Sequence, residues 1–440
     1  MIDRGILTYG GGSPLYPKTC MDVRKRVMKN GLIVASEVMP HLRSVSLGVW
    51  VRCGSRFERD GNAGISHFIE HLLFKGTRKR SAARIAEAID SVGGQLDAFT
   101  EKEYVGFYAK VLDEHLPFAF DLLSDIVLNP SFPAAEMQRE RQVIFEEINM
   151  VEDSPQDLIF DMYQQNFWKG HPLGRPISGT NQSVGRIARR DVREFFRRNY
   201  NASNMVIAVA GNIRHREVAE LAERYFSSLE AGVAADPGAP PIARAGRVVR
   251  RKSNLEQTHI CLGTVSPAVT SEERYCSHLL CYILGGGVSS RLFQNIREKR
   301  GLVYSIYSTL NLYRDAGSLV VYAGTAPDKA AQVVDLTLME FRRLREQPVP
   351  SRELRRAKES IKGSVMLSLE SSSSRMTHLA QQLIYHGRFC SLEEILEAVE
   401  RITARDILNL ANRIFCSSCL TLTALGGRNG RDLQTMTIGV

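Results

Sequence analysis

The stretch Val184 to Val192, VGRIARRDV, returns as Val399 to Ile407, VERITARDI, at an offset of 399 − 184 = 215. Ala210-Gly211 meets Leu425-Gly426 at the same offset, and upstream an offset of 217 sets Pro133 against Pro350, Glu136 against Glu353, Arg139 against Arg356 and Ile144 against Ile361. An echo whose order holds along most of each half marks a duplicated unit rather than a recurring short motif. Between the halves, Ala231 to Gly246 is rich in Gly, Pro and Ala and reads as a linker. The chain is therefore expected to fold as two homologous α+β domains, residues 28–232 and 246–430.

Within the first half, Leu32 to Val38 and Ser44 to Val51 alternate with the period of strands. Ser81 to Val92 carries Ile85, Ala88, Ile89 and Val92 at helical spacing and is closed by Gly93-Gly94. Gln95 to Val111 reads as one or two strands, and an exposed edge there would suit a substrate backbone added as a further strand. Helices are expected over Asp113–Val127, Pro133–Glu152 and Asp191–Asn199, and Met205 to Gly211 reads as a buried strand.

Gly64 to Gly76, GISHFIEHLLFKG, holds His67, Glu70 and His71 at relative positions i, i+3 and i+4. On an α-helix these three share one face, while Ile65, Phe68, Ile69, Leu72 and Leu73 supply an apolar remainder. Two imidazoles one turn apart can ligate zinc at about 2.0–2.1 Å, leaving the carboxylate free to take a proton from metal-bound water. The order H-x-x-E-H is the inverted form of the zincin motif. The second half has no copy of it, and the offset of 217 places Glu140 opposite Ala357 and Glu147 opposite Ser364. A fold that forms twice, once without these carboxylates, does not require them, which points them towards chemistry.

Composition narrows the field. A hydrophobic content of 44% with 24% charged residues is that of a globular protein, and no apolar run is long enough for a membrane span. The net charge of +9 is dispersed, without basic residues interleaved with stacking aromatics, so neither nucleic acid nor membrane insertion is expected. Eight scattered cysteines suit a reducing compartment, and the stretch up to Met28 reads as a loose tail without a secretory signal, so a cytoplasmic protein is expected. Cys416-Ser-Ser-Cys419 has metal-like spacing, but it lacks a second pair and opens the apolar run Leu420 to Leu425, which favours a structural role. Gly285 to Arg291 lacks the ending of a phosphate-binding loop and reads as a helix entry turn; His171, followed by Pro172 in a turn-rich stretch, reads as structural.

From about Arg26 to Gly427 the chain resembles the insulinase/pitrilysin family of zinc metallopeptidases, in the short bacterial branch related to mitochondrial processing peptidase. The resemblance rests on GISHFIEHLLFKGT, RERQVIFEEINM, HPLGRPISGT and SSRLFQNIREKRGLVYS. It implies two α/β-sandwich repeat domains and one Zn²⁺ per chain. The family's third ligand is a Glu on a later helix, at a fixed distance from the second His that 147 − 71 = 76 reproduces here, selecting Glu147 over Glu146. Glu140 matches a supporting carboxylate that orients the histidines. Arg297 and Tyr304 match a pair that contacts the substrate carbonyl, where a cation and a phenol O–H stabilise an oxyanion. Asp97, Ala98 and Phe99 lie where relatives bind substrate main chain, although the family often has Asn at the first position.

The resemblance thus implies a zinc metalloendopeptidase acting on extended or unfolded peptides, with Glu70 as the base. Since related enzymes enclose substrate with four such domains, a homodimer with each active site completed in trans is expected. The rival is a catalytically inactive scaffold or core-type subunit of the same fold, which usually loses part of the zinc motif.

Overall fold

A computed structural model of the chain describes residues 22–427 and 431–439; Cys20 and the rest of the expected tail up to residue 21 lie outside the described residues. The strands are β1 (Asp22–Val27), β2 (Ile33–Val38), β3 (Ser44–Val51), β4 (Gln95–Thr100), β5 (Val105–Leu112), β6 (Met205–Gly211), β7 (Gly246–Arg251), β8 (Thr258–Ser266), β9 (Val303–Leu312), β10 (Gly317–Thr325) and β11 (Thr421–Gly426). They form two sheets, in the orders β1-β2-β6-β3-β5-β4 and β7-β11-β8-β10-β9. Without β1 the two orders are the same. Each sheet has one parallel pair, β2 with β6 and β7 with β11, and each ends on an edge, β4 or β9, that is unpaired among the described residues.

Where a loose tail is expected, the structure has a strand, which corrects that reading. Asp22–Val27 pairs antiparallel with β2 throughout, although its side chains are almost all exposed. Its sequence, DVRKRV, carries no apolar alternation because backbone bonds hold it, helped by His215 Nε2 at 3.0 Å from Asp22 and by Lys25 Nζ donating to Gly387 O at 2.7 Å. Such a basic strand also suits a sheet edge, where charge discourages further pairing.

Strand β3 shows how each sheet is buried on both faces. Val45, Leu47, Val49 and Val51 point into the core of the first half, with Phe68, Ile69 and Leu72 of the helix Ile65–Leu73. Trp50, with Val206, Ala208 and Ala210 of β6, points the other way. That second face is covered by Met376, Leu379, Ala380, Leu383 and Ile384 of the helix Ser372–His386, contributed by the other half of the chain. The exchange is mutual: Leu158, Ile159, Met162 and Tyr163, from the helix Pro155–Phe167, cover Cys261, Val320, Tyr322 and Leu425 of the second sheet.

The two helices stand at 372 − 155 = 217, the repeat offset. Each enters over a glycine at matching positions, Gly48 beneath Met376 and Gly263 beneath Tyr163, where an added methyl would collide with the incoming side chain. At about 1.5–3 kcal/mol for each large side chain fully buried, the exchange binds the halves together. Arg56, its side chain fully buried, adds a bridge between them, donating to Glu103 at 2.7 Å and to both oxygens of Asp315 at 2.7 and 2.6 Å. No helix among the described residues is long and apolar enough to cross a membrane.

Candidate metal centre

The helix Ile65–Leu73 buries Ile65, Phe68, Ile69, Leu72 and Leu73, so its remaining face carries His67, Glu70 and His71, the last two lining a cleft. Its first turn is held in two ways. Gly64 adopts φ +93° with the carbonyl of Ser178 close to where a side chain would stand, so the position excludes other residues. Glu58, buried, accepts from the backbone N–H groups of Gly64 and Ser66, both at 2.8 Å. A carboxylate at a helix N-terminus satisfies orphan donors and complements the dipole. Burial nevertheless pushes Glu58 up from 4.5 to about 7, the backbone bonds opposing. Sequence reading missed this residue because its partners lie across an irregular turn with no periodic signal.

The helix Ala134–Asp153 faces the motif. Met137, Glu140, Ile144 and Glu147 fall at i, i+3, i+7 and i+10, a single stripe. Met137 and Ile144 are core residues, and their packing aims the two carboxylates at the histidines. Glu147 Oε2 lies 3.6 Å from His67 Nε2 and 3.5 Å from His71 Nε2, and the two nitrogens are 3.3 Å apart. Glu146 takes no part in the group.

These separations test whether the donor set fits a metal. A tetrahedral ion with ligands at about 2.0–2.1 Å sets its ligand atoms about 3.3–3.4 Å apart, close to all three edges observed. His71 Nδ1 lies 3.1 Å from Glu140 Oε2, so an Nδ1–H donated there leaves the Nε2 lone pair facing the cluster. Glu140 is buried and is also paired with Lys75 Nζ at 2.8 Å. Burial, reinforced by His71, pushes the His67 imidazole down to about 4, which keeps it a neutral ligand. His67 Nδ1 is buried without a hydrogen-bond partner among the described residues. Two imidazoles and a carboxylate are a zinc-type set. Among the described residues this is the one such group.

Glu70 stands beside the set, and its Oε2 accepts from the Thr100 hydroxyl at 2.5 Å. Burial pushes its carboxyl up, with Glu147 and Asp97 acting in the same direction, against Thr100 and His71. The cleft around it is lined by Leu96, Asp97 and Ala98 of β4, with Phe74 and Lys75. Ala98 N–H is bonded to its own neighbour, Asp97 Oδ1, at 2.8 Å, so it points off the free edge rather than into the ladder. Phe99 lies on the other face, against Trp50, in the contact layer beneath the exchanged helix.

Arg297 and Tyr304 are not among the residues lining this cleft. Arg297 belongs to a single wide helical turn, Phe293–Glu298, with its guanidinium 4.7 Å from the Phe293 ring. Tyr304 stands on the edge strand β9, 78% exposed. His171 is also outside, its Nε2 3.1 Å from the carbonyl of Ala239 in the linker. Cys416 and Cys419 meet each other across a turn that leads into β11, with no third ligand from a His, Asp or Glu among the described residues.

Comparison with known proteins gives the same picture. Residues 33–181 match the family described as insulinase (peptidase family M16), and residues 186–361 match the peptidase M16 inactive domain. An uncharacterized zinc protease of Mycobacterium tuberculosis is 40% identical over 406 residues, covering 91% of this chain and 93% of its own. One from Bacillus subtilis is 38% identical over 393 residues, covering 89% and 96%. Among solved structures, a protease from Helicobacter pylori superposes with a TM-score of 0.87 at 23% identity, over 92% of this chain and 99% of that one. A peptidase M16 inactive domain from Pseudomonas fluorescens gives 0.86 at 21% identity, over 92% and 98%. At these identities the solved structures speak to the fold alone.

Proposed function

Because this chain belongs to the insulinase (M16) family of zinc metallopeptidases, we propose that it is a zinc endopeptidase hydrolysing extended or unfolded peptides. The observation that carries this reading is the tetrahedral-edge spacing of His67, His71 and Glu147 with a half-buried carboxylate, Glu70, alongside. Bound there, zinc supplies a Lewis acid and brings the pKa of a water ligand towards about 7.

The chain's own residues do the rest. His67, His71 and Glu147 hold one ion per chain, and Glu140 orients His71 while Lys75 neutralises it. Glu70, whose proton affinity is raised by burial, accepts the proton of the attacking water and passes it to the leaving amine. Substrate main chain lies along the free edge of β4, where a peptide carbonyl replaces Asp97 as partner of the Ala98 N–H. Phe99 and Asp97 flank that contact. A completed zinc motif argues against the inactive scaffold.

Arg297 and Tyr304 stabilise the oxyanion of a neighbouring chain's site, so the active form is a homodimer built from domains 28–232 and 246–430 of both copies. The exposure of Tyr304 on an edge strand supports such a role in trans. Mixing His67→Ala with Arg297→Ala chains tests it: each is inactive alone, and the mixed dimer regains about a quarter to a half of wild-type turnover. No regain removes completion in trans. The chemistry is tested by Glu70→Gln, which retains zinc and loses activity by about 10²–10⁴; equal turnover by both proteins overturns the mechanism.

A further inference from the structure

Successive residues of a strand face opposite sides of its sheet. On β4, Leu96 and Ala98 line the cleft with Glu70 and His71, whereas Gln95 and Phe99 line a second groove of about 430 Å³ on the other face. Its far wall is the exchanged helix Ser372–His386, through Thr377, His378 and Gln381.

The groove is firmly built. The Phe99 ring lies over Gly106, where a side chain would meet it, and packs edge-on against Trp50 with centroids 5.3 Å apart. Tyr108 stands beside Phe99 at 6.3 Å and donates its hydroxyl to Asp97 Oδ2 at 3.1 Å. Gln381 donates to the Tyr104 hydroxyl at 2.9 Å.

Opposite the rings, the protonation of His378 is decided by its neighbour. Gln382 Oε1 accepts from the backbone N–H of Cys390 at 2.7 Å, and Gln382 Nε2 donates to the Cys390 carbonyl at 3.2 Å, which fixes the amide. The Nε2 of Gln382 also lies 2.7 Å from His378 Nε2 and can only donate. His378 Nε2 is therefore the acceptor, and its Nδ1 carries the proton, with no hydrogen-bond partner among the described residues. No Asp, Glu, Lys or Arg lines the groove. An aromatic ring entering it would meet the rings of Phe99 and Tyr108, whereas an acidic side chain would approach the Asp97 carboxylate that holds the Tyr108 hydroxyl.

We propose that this groove is a specificity subsite of the peptidase: it receives an aromatic side chain of a peptide extended along β4, on the face opposite Glu70, with His378 Nδ1–H offered to a polar ring substituent. The proposal rests on β4 being the substrate-binding edge. It assigns to the second half of the same chain, through its exchanged helix, a part in choosing substrate that is separate from Arg297 and Tyr304.

The test uses the full-length zinc-loaded protein and internally quenched peptides that carry one Phe, Tyr, Ala, Glu or Lys scanned through an otherwise fixed neutral sequence. Wild type shows a kcat/KM preference for Phe and Tyr over Ala, Glu and Lys at alternate positions. Thr377→Trp, which fills the groove, lowers the Phe-to-Ala ratio at those positions at least tenfold, and His378→Leu lowers the Tyr-to-Phe ratio. Unchanged ratios, or an equal loss for every peptide, overturn the subsite. If wild type cleaves no peptide, the proposed activity fails by itself, and fluorescence anisotropy of the same labelled peptides then decides the subsite. A Phe preference in binding that Thr377→Trp removes supports it; its absence overturns it.

Discussion

The helices Ile65–Leu73 and Arg274–Gly285 follow equivalent strands, β3 and β8, and pack against equivalent sheets. The second buries Cys276, Leu279, Leu280, Ile283 and Leu284, with His278 as its one imidazole. The first gives a whole face to His67, Glu70 and His71. The helices facing them differ in the same way: Ala134–Asp153 sends Glu140 and Glu147 inward, whereas in Ser351–Ser368 the corresponding positions hold Ala357, 1% exposed within an apolar cluster, and Ser364. One architecture therefore tolerates an apolar or an ionisable filling of the same slot. An inward-turned carboxylate that the fold does without costs stability, which points to a role other than packing.

The comparison breaks most sharply at the metal. His67→Ala removes one of three ligands, and we expect metal content measured by plasma mass spectrometry to fall from one zinc per chain to near zero, with activity abolished. The converse change, Ala357→Glu, places a carboxylate in the second half's apolar cluster without the paired histidines that await one in the first. It should lower stability by about 3 kcal/mol or more in a denaturant titration and recruit no metal. Retained stability there would mean that the second slot is less apolar than its packing indicates.

Finer tests concern the supports of the site. Glu140→Gln keeps the shape but weakens the bond to His71, and zinc affinity measured by competition with a chelator should fall about 10–100-fold. Glu58 acts through pH rather than at the metal. Its carboxyl stands near 7 in the folded protein against an ordinary 4.5, so the folded state holds a proton that the unfolded state releases. Its contribution is therefore fully present below about 4.5 and is lost as pH rises towards 7, at about 1.4 kcal/mol per pH unit. Glu58→Gln, which cannot ionise, should flatten the pH dependence of thermal unfolding across that window; parallel curves for the two proteins would refute the assignment.

Much of this was legible in residue order. The i, i+3, i+4 spacing of His67, Glu70 and His71 fixes a shared face on any α-helix, and the offsets of 215 and 217 announced two like sheets. The strand Asp22–Val27 was illegible because backbone bonds rather than apolar side chains hold it. Glu58 was illegible because its capping role depends on a turn that brings it back to Gly64 and Ser66. The exchanged helices were hidden for another reason: an apolar stripe states that a face will be buried but not against what. Ser372–His386 packs on a sheet whose last strand, β6, ended at Gly211, with the whole linker and second sheet's first strands between them in the chain.

The sequence by itself determined the duplication, the helix that sets His67, Glu70 and His71 on one face and the absence of that motif from the second copy, since these follow from periodicity and spacing along one chain. Only the tertiary structure decided that Glu147 meets both histidines at tetrahedral spacing, that β4 stands at the edge of its sheet among the described residues, and that each half closes the other's sheet. Those depend on which apolar surfaces find each other in space. Burial is non-directional and acts between whatever faces fit, so the partner is chosen by shape, at Gly48 and Gly263 among other places, and not by order along the chain.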